Sequence, residues 1–168
     1  MTKQKWYSAS KRVMASCAIA ATFVASSAAL GDTVYEGPSG GWGGGTFYDS
    51  PPALPHYINY IYVRHGSLVD AIQTVWTNGS VSPRHGGGGG RLDWFDPPAG
   101  EKVNYVWGYA SQYVDSIGFC TSRRCSPRWG GNGGKYFSYA APIGYEIAGF
   151  RGRSGSLLDA VGVILRKR

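Results

Sequence analysis

Gly155-Ser156-Leu157-Leu158-Asp159, near the end of the chain, is the most informative segment for the fold, because two related stretches occur earlier in the sequence. Gly66-Ser67-Leu68-Val69-Asp70 is a near copy, and Ser111-Gln112-Tyr113-Val114-Asp115 is a weaker one. The three aspartates follow one another at intervals of 45 and 44 residues. A fixed period of this length indicates one supersecondary unit that occurs three times. We call these three stretches the aspartate loops.

A cluster of glycines precedes each aspartate loop. The three glycine clusters span Gly40–Gly44, Gly86–Gly90 and Gly130–Gly134, and the second glycine of each lies 29, 28 and 28 residues before the next loop aspartate. The combined pattern predicts repeats over about 38–81, 82–125 and 126–165. Because five consecutive glycines exceed what a single β-bulge requires, we expect the clusters to do more than turn the chain, although a flexible linker at 86–90 remains an alternative.

Short apolar or aromatic segments bounded by glycine or proline predict an all-β fold. Examples are Tyr57–Val63, Lys102–Trp107 and Tyr145–Phe150, and no stretch after the first 30 residues keeps helical spacing for three turns. Four columns at fixed distances from the loop aspartates are apolar in all three repeats: Ile58, Val103, Ile147; Ile61, Val106, Phe150; Val69, Val114, Leu158; and Ile72, Ile117, Val161. We therefore expect three equivalent sheets of about four strands around one core.

Residues 1–30 have the features of a cleaved signal peptide. A basic start is followed by an uncharged stretch over 13–30, which ends in small residues suited to cleavage. An uncleaved anchor helix is the alternative, but the stretch is weakly apolar for a bilayer span. We expect a secreted or periplasmic protein whose domain covers residues 31–168, without membrane insertion.

The charge balance of residues 31–168 argues against nucleic acid as a partner. The formal net charge of the chain is +7, but four of its basic residues and none of its acidic residues lie within the first 30. The remainder has 13 basic and 10 acidic residues with no basic stripe, which favours solubility over binding to a phosphate backbone.

Cys120 and Cys125 flank a short turn. In an exported chain this pair predicts a disulfide, with free thiols or half of a metal site as alternatives. Because the sequence has no second cysteine pair after the first 30 residues and only three histidines, we expect no zinc site and no cofactor.

The aspartate loops have the chemistry of a site for polyhydroxylated ligands. A carboxylate accepts hydroxyl protons, neighbouring backbone N–H groups donate to ligand oxygens, and glycines allow close approach. A single such aspartate more often caps its own turn. The recurrence of all three beside glycine clusters favours binding.

With these motifs the chain resembles the jacalin-related lectins. The resemblance covers about Val34 to Leu165 and rests on the first glycine cluster, on the loop ending at Asp70 and especially on Gly152–Gly162. It implies a β-prism I of three four-stranded Greek-key sheets that binds sugars without metal or catalysis. Banana lectin and griffithsin represent the mannose-binding type, and the resemblance implies mannose- or glucose-type glycans as partners. It leaves homo-oligomerisation open.

The resemblance also implies which residues bind sugar. Each site would combine a loop aspartate, two backbone amides just before it and a glycine. For the first site these are Asp159, Ser156, Leu157 and Gly41. For the second they are Asp70, Ser67, Leu68 and Gly87. For the third they are Asp115, Gln112, Tyr113 and Gly131.

The third site departs from the pattern, because Ser111 stands where the other loops have glycine. If position 111 needs a positive φ or close sugar approach, its Cβ costs affinity, although Tyr113 could compensate by stacking on the sugar. Around the sites, Trp42 is expected to extend the contacts to a second sugar unit. For the other flanking residues we favour ordinary exposed loop positions: Arg64, His65, His85 and Arg153.

Two rival functions remain. A glycosidase would use two of the aspartates, but such enzymes need carboxyl groups about 5 to 9.5 Å apart, and aspartates related by a threefold axis are expected to be farther apart. A prism that serves only as a docking or toxin-associated module would fold normally and ignore glycans.

Overall fold

The computed structural model describes residues 33–168, which contain twelve β-strands and no helix. The signal peptide predicted at 1–30 lies outside the described residues. No helix that could span a membrane occurs between 33 and 168. The strands are β1 (Thr33–Gly40), β2 (Gly45–Tyr48), β3 (Ile58–His65), β4 (Val69–Trp76), β5 (His85–Gly86), β6 (Arg91–Phe95), β7 (Tyr105–Ala110), β8 (Val114–Cys120), β9 (Trp129–Gly130), β10 (Lys135–Ala140), β11 (Tyr145–Ser154) and β12 (Leu158–Lys167).

The strands form three four-stranded antiparallel sheets, as predicted. Their orders are β1-β12-β11-β2, β5-β4-β3-β6 and β10-β7-β8-β9. In each sheet a central hairpin is flanked by two further strands that are consecutive in sequence, which is the Greek-key arrangement. The first sheet is different in one respect, because its outer strands come from the start of the described chain and its central hairpin comes from the end.

The core lies between the three sheets and is built from the predicted apolar columns. All twelve column residues are 1% exposed or less, which confirms that these columns form the core. Alternation along each strand places these side chains inward. Aromatic rings complete the centre, where Phe119 meets Phe150 edge to face with centroids 5.8 Å apart. Three inward faces thus share one core, which makes the assembly a triangular prism.

The segments that form the sheets are offset by about half a period from the predicted repeats 38–81, 82–125 and 126–165. Two sheets each contain an aspartate loop and the glycine cluster that follows it in sequence. The third combination joins the loop of Asp159 to the cluster at Gly40–Gly44, from the other end of the chain. All three pairs lie at one end of the prism.

The opposite end is held by a disulfide and a buried ion pair. Cys120 and Cys125 are bonded at an S–S distance of 2.02 Å. Glu146 is completely buried and pairs with Arg166, whose guanidinium also donates to the carbonyls of Pro52 and His56. This arginine therefore neutralises a buried carboxylate and fastens the β2–β3 connection.

Candidate functional site

The three aspartate loops have the same backbone turn. The N–H of Gly66 donates to Leu68 O at 2.9 Å, that of Ser111 to Tyr113 O at 2.8 Å, and that of Gly155 to Leu157 O at 3.0 Å. The turn links the two central strands of each sheet. Because it uses only backbone groups, the weaker copy at 111–115 can adopt it as well as the two glycine-led copies.

Each aspartate loop is tied to one glycine cluster through the backbone. Asp159 O accepts from Gly41 N at 2.9 Å, Asp70 O from Gly87 N at 3.0 Å, and Asp115 O from Gly131 N at 2.7 Å. The structure therefore brings together the three predicted pairs of aspartate and glycine. These bonds position each aspartate loop beside its glycine cluster, and the role of the glycines in sugar binding stays a prediction.

The remaining glycines make room for the carboxylates. A Cβ added to Gly43 would lie 2.3 Å from Asp159 Oδ1, and one added to Gly44 would lie 2.6 Å from Asp159 Oδ2. The other two clusters repeat this arrangement, with Gly89 and Gly90 around Asp70 and Gly133 and Gly134 around Asp115. Any side chain here would displace the carboxylate, so steric room accounts for the glycine clusters.

Asp159 has unused hydrogen-bonding capacity. The residue is 5% exposed, and its Oδ2 has no hydrogen-bond partner within residues 33–168. In the same part of the chain, the N–H groups of Ser156 and Leu157 donate to no other residue. A carboxylate acceptor therefore lies beside two available amide donors. A buried group of this kind is stabilised only when a ligand or water supplies the missing bond.

Asp159 lines a cleft of about 450 Å³ whose wall comes from two different sheets. Gly40, Gly41, Trp42 and Gly43 form one side, and Ser111, Gln112 and Tyr113 form the other. Trp42 is 90% exposed at the rim. Gln112 and Tyr113, predicted only for the third site, therefore also border the first.

This sharing follows from a cyclic contact among the loops. A Cβ on Gly41 would lie 2.3 Å from Gln112 O, one on Gly87 would lie 2.1 Å from Ser156 O, and one on Gly131 would lie 2.2 Å from Ser67 O. Each glycine cluster thus touches the aspartate loop of its own sheet and that of a neighbouring sheet. The three loop pairs interlock around the prism axis.

The third site differs from the others in the partner of its carboxylate. Ser111 Oγ donates to Asp115 Oδ2 at 2.9 Å. No non-glycine residue from 33 to 168 has a positive φ, and neither Gly66 nor Gly155 does. Position 111 therefore needs no glycine for its backbone. The serine instead occupies Asp115 Oδ2, which is then not free to accept a hydrogen bond from a sugar hydroxyl.

Arginines hold two of the glycine clusters in place. Arg153 donates from Nε to Gly43 O at 2.7 Å and from a terminal nitrogen to Gly44 O at 2.6 Å. Arg64 donates to Gly88 O, Gly89 O and Gly90 O at 2.9 to 3.1 Å. Both stand six residues before a loop aspartate, where the third sheet has Tyr109. The interpretation of Arg64 and Arg153 as ordinary exposed loop residues was wrong.

The same interpretation was wrong for His65 and His85, which are buried in strands. His65 Nε2 lies 2.8 Å from Asp93 Oδ2, and this bond, together with Arg91, lowers the pKa of Asp93. His85 stacks on Phe47 and lies 2.9 Å from Asp49 Oδ1. Both histidines support the scaffold behind the second site.

No group of three histidine, cysteine, aspartate or glutamate side chains that could hold a metal ion occurs within 33–168.

Comparison with known proteins identifies a family. The model of the jacalin-like lectin domain matches residues 36–164. A search among curated protein sequences finds no match.

Solved structures agree with the family model. Wild-type Malaysian banana lectin is 29% identical, with a TM-score of 0.72, over 81% of this chain and 99% of its own. A mannose-binding jacalin-related lectin from Ananas comosus is 26% identical, with a TM-score of 0.70, over 81% and 99%. Calystegia sepium agglutinin is 29% identical, with a TM-score of 0.70, over 80% and 97%.

Proposed function

Because the chain belongs to the jacalin-like lectin family, we propose that it binds mannose- or glucose-type glycans at the sites of Asp159 and Asp70. The family consists of carbohydrate-binding proteins and not of enzymes. The observation that carries the assignment of the site is the buried Asp159 Oδ2, which has no hydrogen-bond partner among the described residues.

At the first site the sugar would be held mainly by hydrogen bonds. Asp159 accepts protons from sugar hydroxyls, while the N–H groups of Ser156 and Leu157 donate to sugar oxygens. Bonds to a charged group contribute about 1.5 to 3 kcal/mol each, whereas the whole binding free energy of a millimolar ligand is about 4 kcal/mol. The carboxylate alone therefore decides whether binding is measurable.

Aromatic side chains supply the second component of binding. Trp42 and Tyr113 both line the cleft, where their rings can cover the apolar face of a sugar. Such contacts depend less on the pattern of hydroxyls than the hydrogen bonds of the loop do. They extend the site toward a second sugar unit and leave selection among hydroxyl patterns to the loop.

The second site repeats the same chemistry with Asp70, Ser67 and Leu68. Asp70 makes no side-chain hydrogen bond to another residue within 33–168, so both of its oxygens can accept from a ligand. The third site is proposed to be the weakest, because Ser111 already donates to Asp115.

Mannose is the proposed sugar because one similar lectin, that of Ananas comosus, is described as mannose-binding. Binding is proposed to need no metal, since the carboxylates and amides contact the sugar directly. Export after removal of residues 1–30 is a separate proposal that rests on the sequence alone. Amino-terminal sequencing of the protein recovered from its native host tests it.

Calorimetric titration with methyl α-mannoside and an array of neutral glycans test the function. We expect millimolar binding that weakens in Asp159→Asn and in Asp70→Asn and is lost in the double variant. Asp96→Asn is the matched control, because this exposed aspartate pairs with Arg124 away from the loops. Addition of EDTA should leave the titration unchanged. A folded protein that ignores every glycan would instead favour a docking module.

A further inference from the structure

A second cleft, of about 220 Å³, lies on the outer face of the sheet that carries Asp70. Its floor is formed by side chains of β3, β4 and β6, and Arg84 lies beside it, just before the second glycine cluster. The lining residues are Tyr62, Arg64, Ala71, Ile72, Gln73, Arg84 and Leu92. The lining contains two guanidinium groups and no carboxylate.

Neither guanidinium is neutralised by an acidic group within 33–168. Arg64 donates from one terminal nitrogen to three backbone carbonyls of the glycine cluster, and these neutral acceptors do not cancel its charge. Arg84 makes no hydrogen bond or ion pair with any residue in the same range. The cleft is therefore a positively charged concavity with a free planar donor at its edge, suited to an oxyanion.

The pseudo-threefold symmetry explains why Arg84 lacks a partner. Its counterpart in the third sheet, Arg128, donates to Asn132 Oδ1 and lies over the Tyr109 ring. The residue equivalent to Asn132 in the second cluster is Gly88, which has no side chain to accept a bond. Pro38 occupies the corresponding position of the first sheet, so only the second sheet has a free arginine here.

The edge of this cleft also borders the second sugar site. A Cβ on Gly88 would lie 3.9 Å from a terminal nitrogen of Arg84. Trp42, the counterpart of Gly88 in the first cluster, lines the cleft of Asp159. A ligand unit that projects from the sugar held by Asp70 over Gly88 would therefore reach Arg84.

We propose that Arg84 and Arg64 form a subsite for an oxyanion, either a carboxylate or a sulfate ester, carried by a glycan whose neutral unit is bound at Asp70. This assignment rests on the proposed function of the second site. It makes the three sites unequal, because the acidic unit is selected only at the second.

Calorimetric titration with three disaccharides at low ionic strength tests the subsite. The probes are α-linked mannobiose, the same disaccharide oxidised to a uronate at C6 of its second unit, and the same disaccharide sulfated there. All variants carry Asp159→Asn, so that the second site dominates the signal. Arg84→Gln removes the charge, and Gly88→Asn gives Arg84 the internal partner that Arg128 has. Arg168→Gln, at the opposite end of the prism, is the control of equal charge change.

In the parent protein we expect at least one acidic probe to bind about fivefold more tightly than neutral mannobiose, the strength of a favourable partly exposed ion pair. Which acidic probe is preferred distinguishes carboxylate from sulfate. The preference should disappear in Arg84→Gln and in Gly88→Asn, persist in Arg168→Gln and shrink in high salt. Affinity for neutral mannobiose should be the same in the parent, in Arg84→Gln and in Arg168→Gln, whereas Gly88→Asn is judged only by its ratio of acidic to neutral affinity.

Equal affinity of the parent for all three probes would overturn the subsite and leave the proposed function intact. A preference that survives in both Arg84→Gln and Gly88→Asn would also overturn it. If neutral mannobiose does not bind, or binds equally in Asp70→Asn, the sugar site itself is wrong and the subsite is rejected with it. Circular dichroism of each variant establishes that loss of preference is not loss of fold.

Discussion

A single methyl group at position 43 should abolish binding at the first site. In Gly43→Ala the new Cβ would lie 2.3 Å from Asp159 Oδ1, far inside van der Waals contact, so the carboxylate must move. Gly43 does not have a positive φ, and alanine therefore introduces no backbone strain. The substitution acts on the carboxylate and on little else.

The size of the effect follows from the bonds that a displaced carboxylate loses. Loss of one charge-assisted hydrogen bond, about 1.5 to 3 kcal/mol, weakens binding by about 10- to 150-fold. For a ligand whose dissociation constant in the parent is millimolar, binding weakened by this factor is no longer measurable by titration.

Gly45→Ala is the matched control. It is the same chemical change two residues later, at the start of β2, where an added Cβ meets nothing within 4 Å. Calorimetric titration with methyl α-mannoside in an Asp70→Asn background isolates the first site. Gly45→Ala should bind as its parent does and Gly43→Ala should not, while both melt at nearly the parent temperature. Equal binding by the two variants would show that Asp159 is not the sugar ligand.

Three further predictions concern the third site and the scaffold. Ser111→Gly should free Asp115 Oδ2 and strengthen sugar binding at the third site about tenfold, measured by NMR titration in a background without the other two loop aspartates; no change would mean that the serine is not what limits this site. Arg166→Met should lower the free energy of unfolding by about 3 to 5 kcal/mol in denaturant titrations, because it leaves Glu146 buried and unpaired, and adding Glu146→Gln should recover part of the loss. Because the pKa of Asp93 is lowered in the folded protein, its ionised side chain stabilises the fold at pH values above the ordinary pKa of 3.8. This contribution disappears as the pH falls through the folded-state pKa. Asp93→Asn should therefore lower the melting temperature by about 3 °C at pH 6 and by less below pH 4, and a difference independent of pH would contradict this assignment.

The fold could be predicted well from the sequence because the buried apolar positions recur at a fixed period. Residues such as Ile61, Val106 and Phe150 face one core from three equivalent strands, so a single physical constraint recurs with every repeat. The phase of the repeats was harder to predict. No residue near Gly40–Gly44 in the sequence indicates that this cluster packs against the loop of Asp159. That pairing was predicted from the resemblance to known lectins.

The supporting side chains were predicted poorly, although the sequence contains signals for some of them. His65 lies two residues after the buried Val63, so strand alternation places it inward. His85 occupies the position of the buried Trp129 in the next repeat. The contact between Gln112 and Gly41 leaves no such signal, because it joins two sheets through backbone atoms and depends on how the prism closes.

The composition of the first sheet has a consequence for how the molecule folds. Its glycine cluster and its aspartate loop come from opposite ends of the described chain, whereas the other two sheets join segments that are close in sequence. Closing a long loop costs more chain entropy than closing a short one and slows the contacts that depend on it. We therefore expect the pockets of Asp70 and Asp115 to assemble early. The pocket of Asp159 should be completed last, when the hairpin of β11 and β12 docks between β1 and β2.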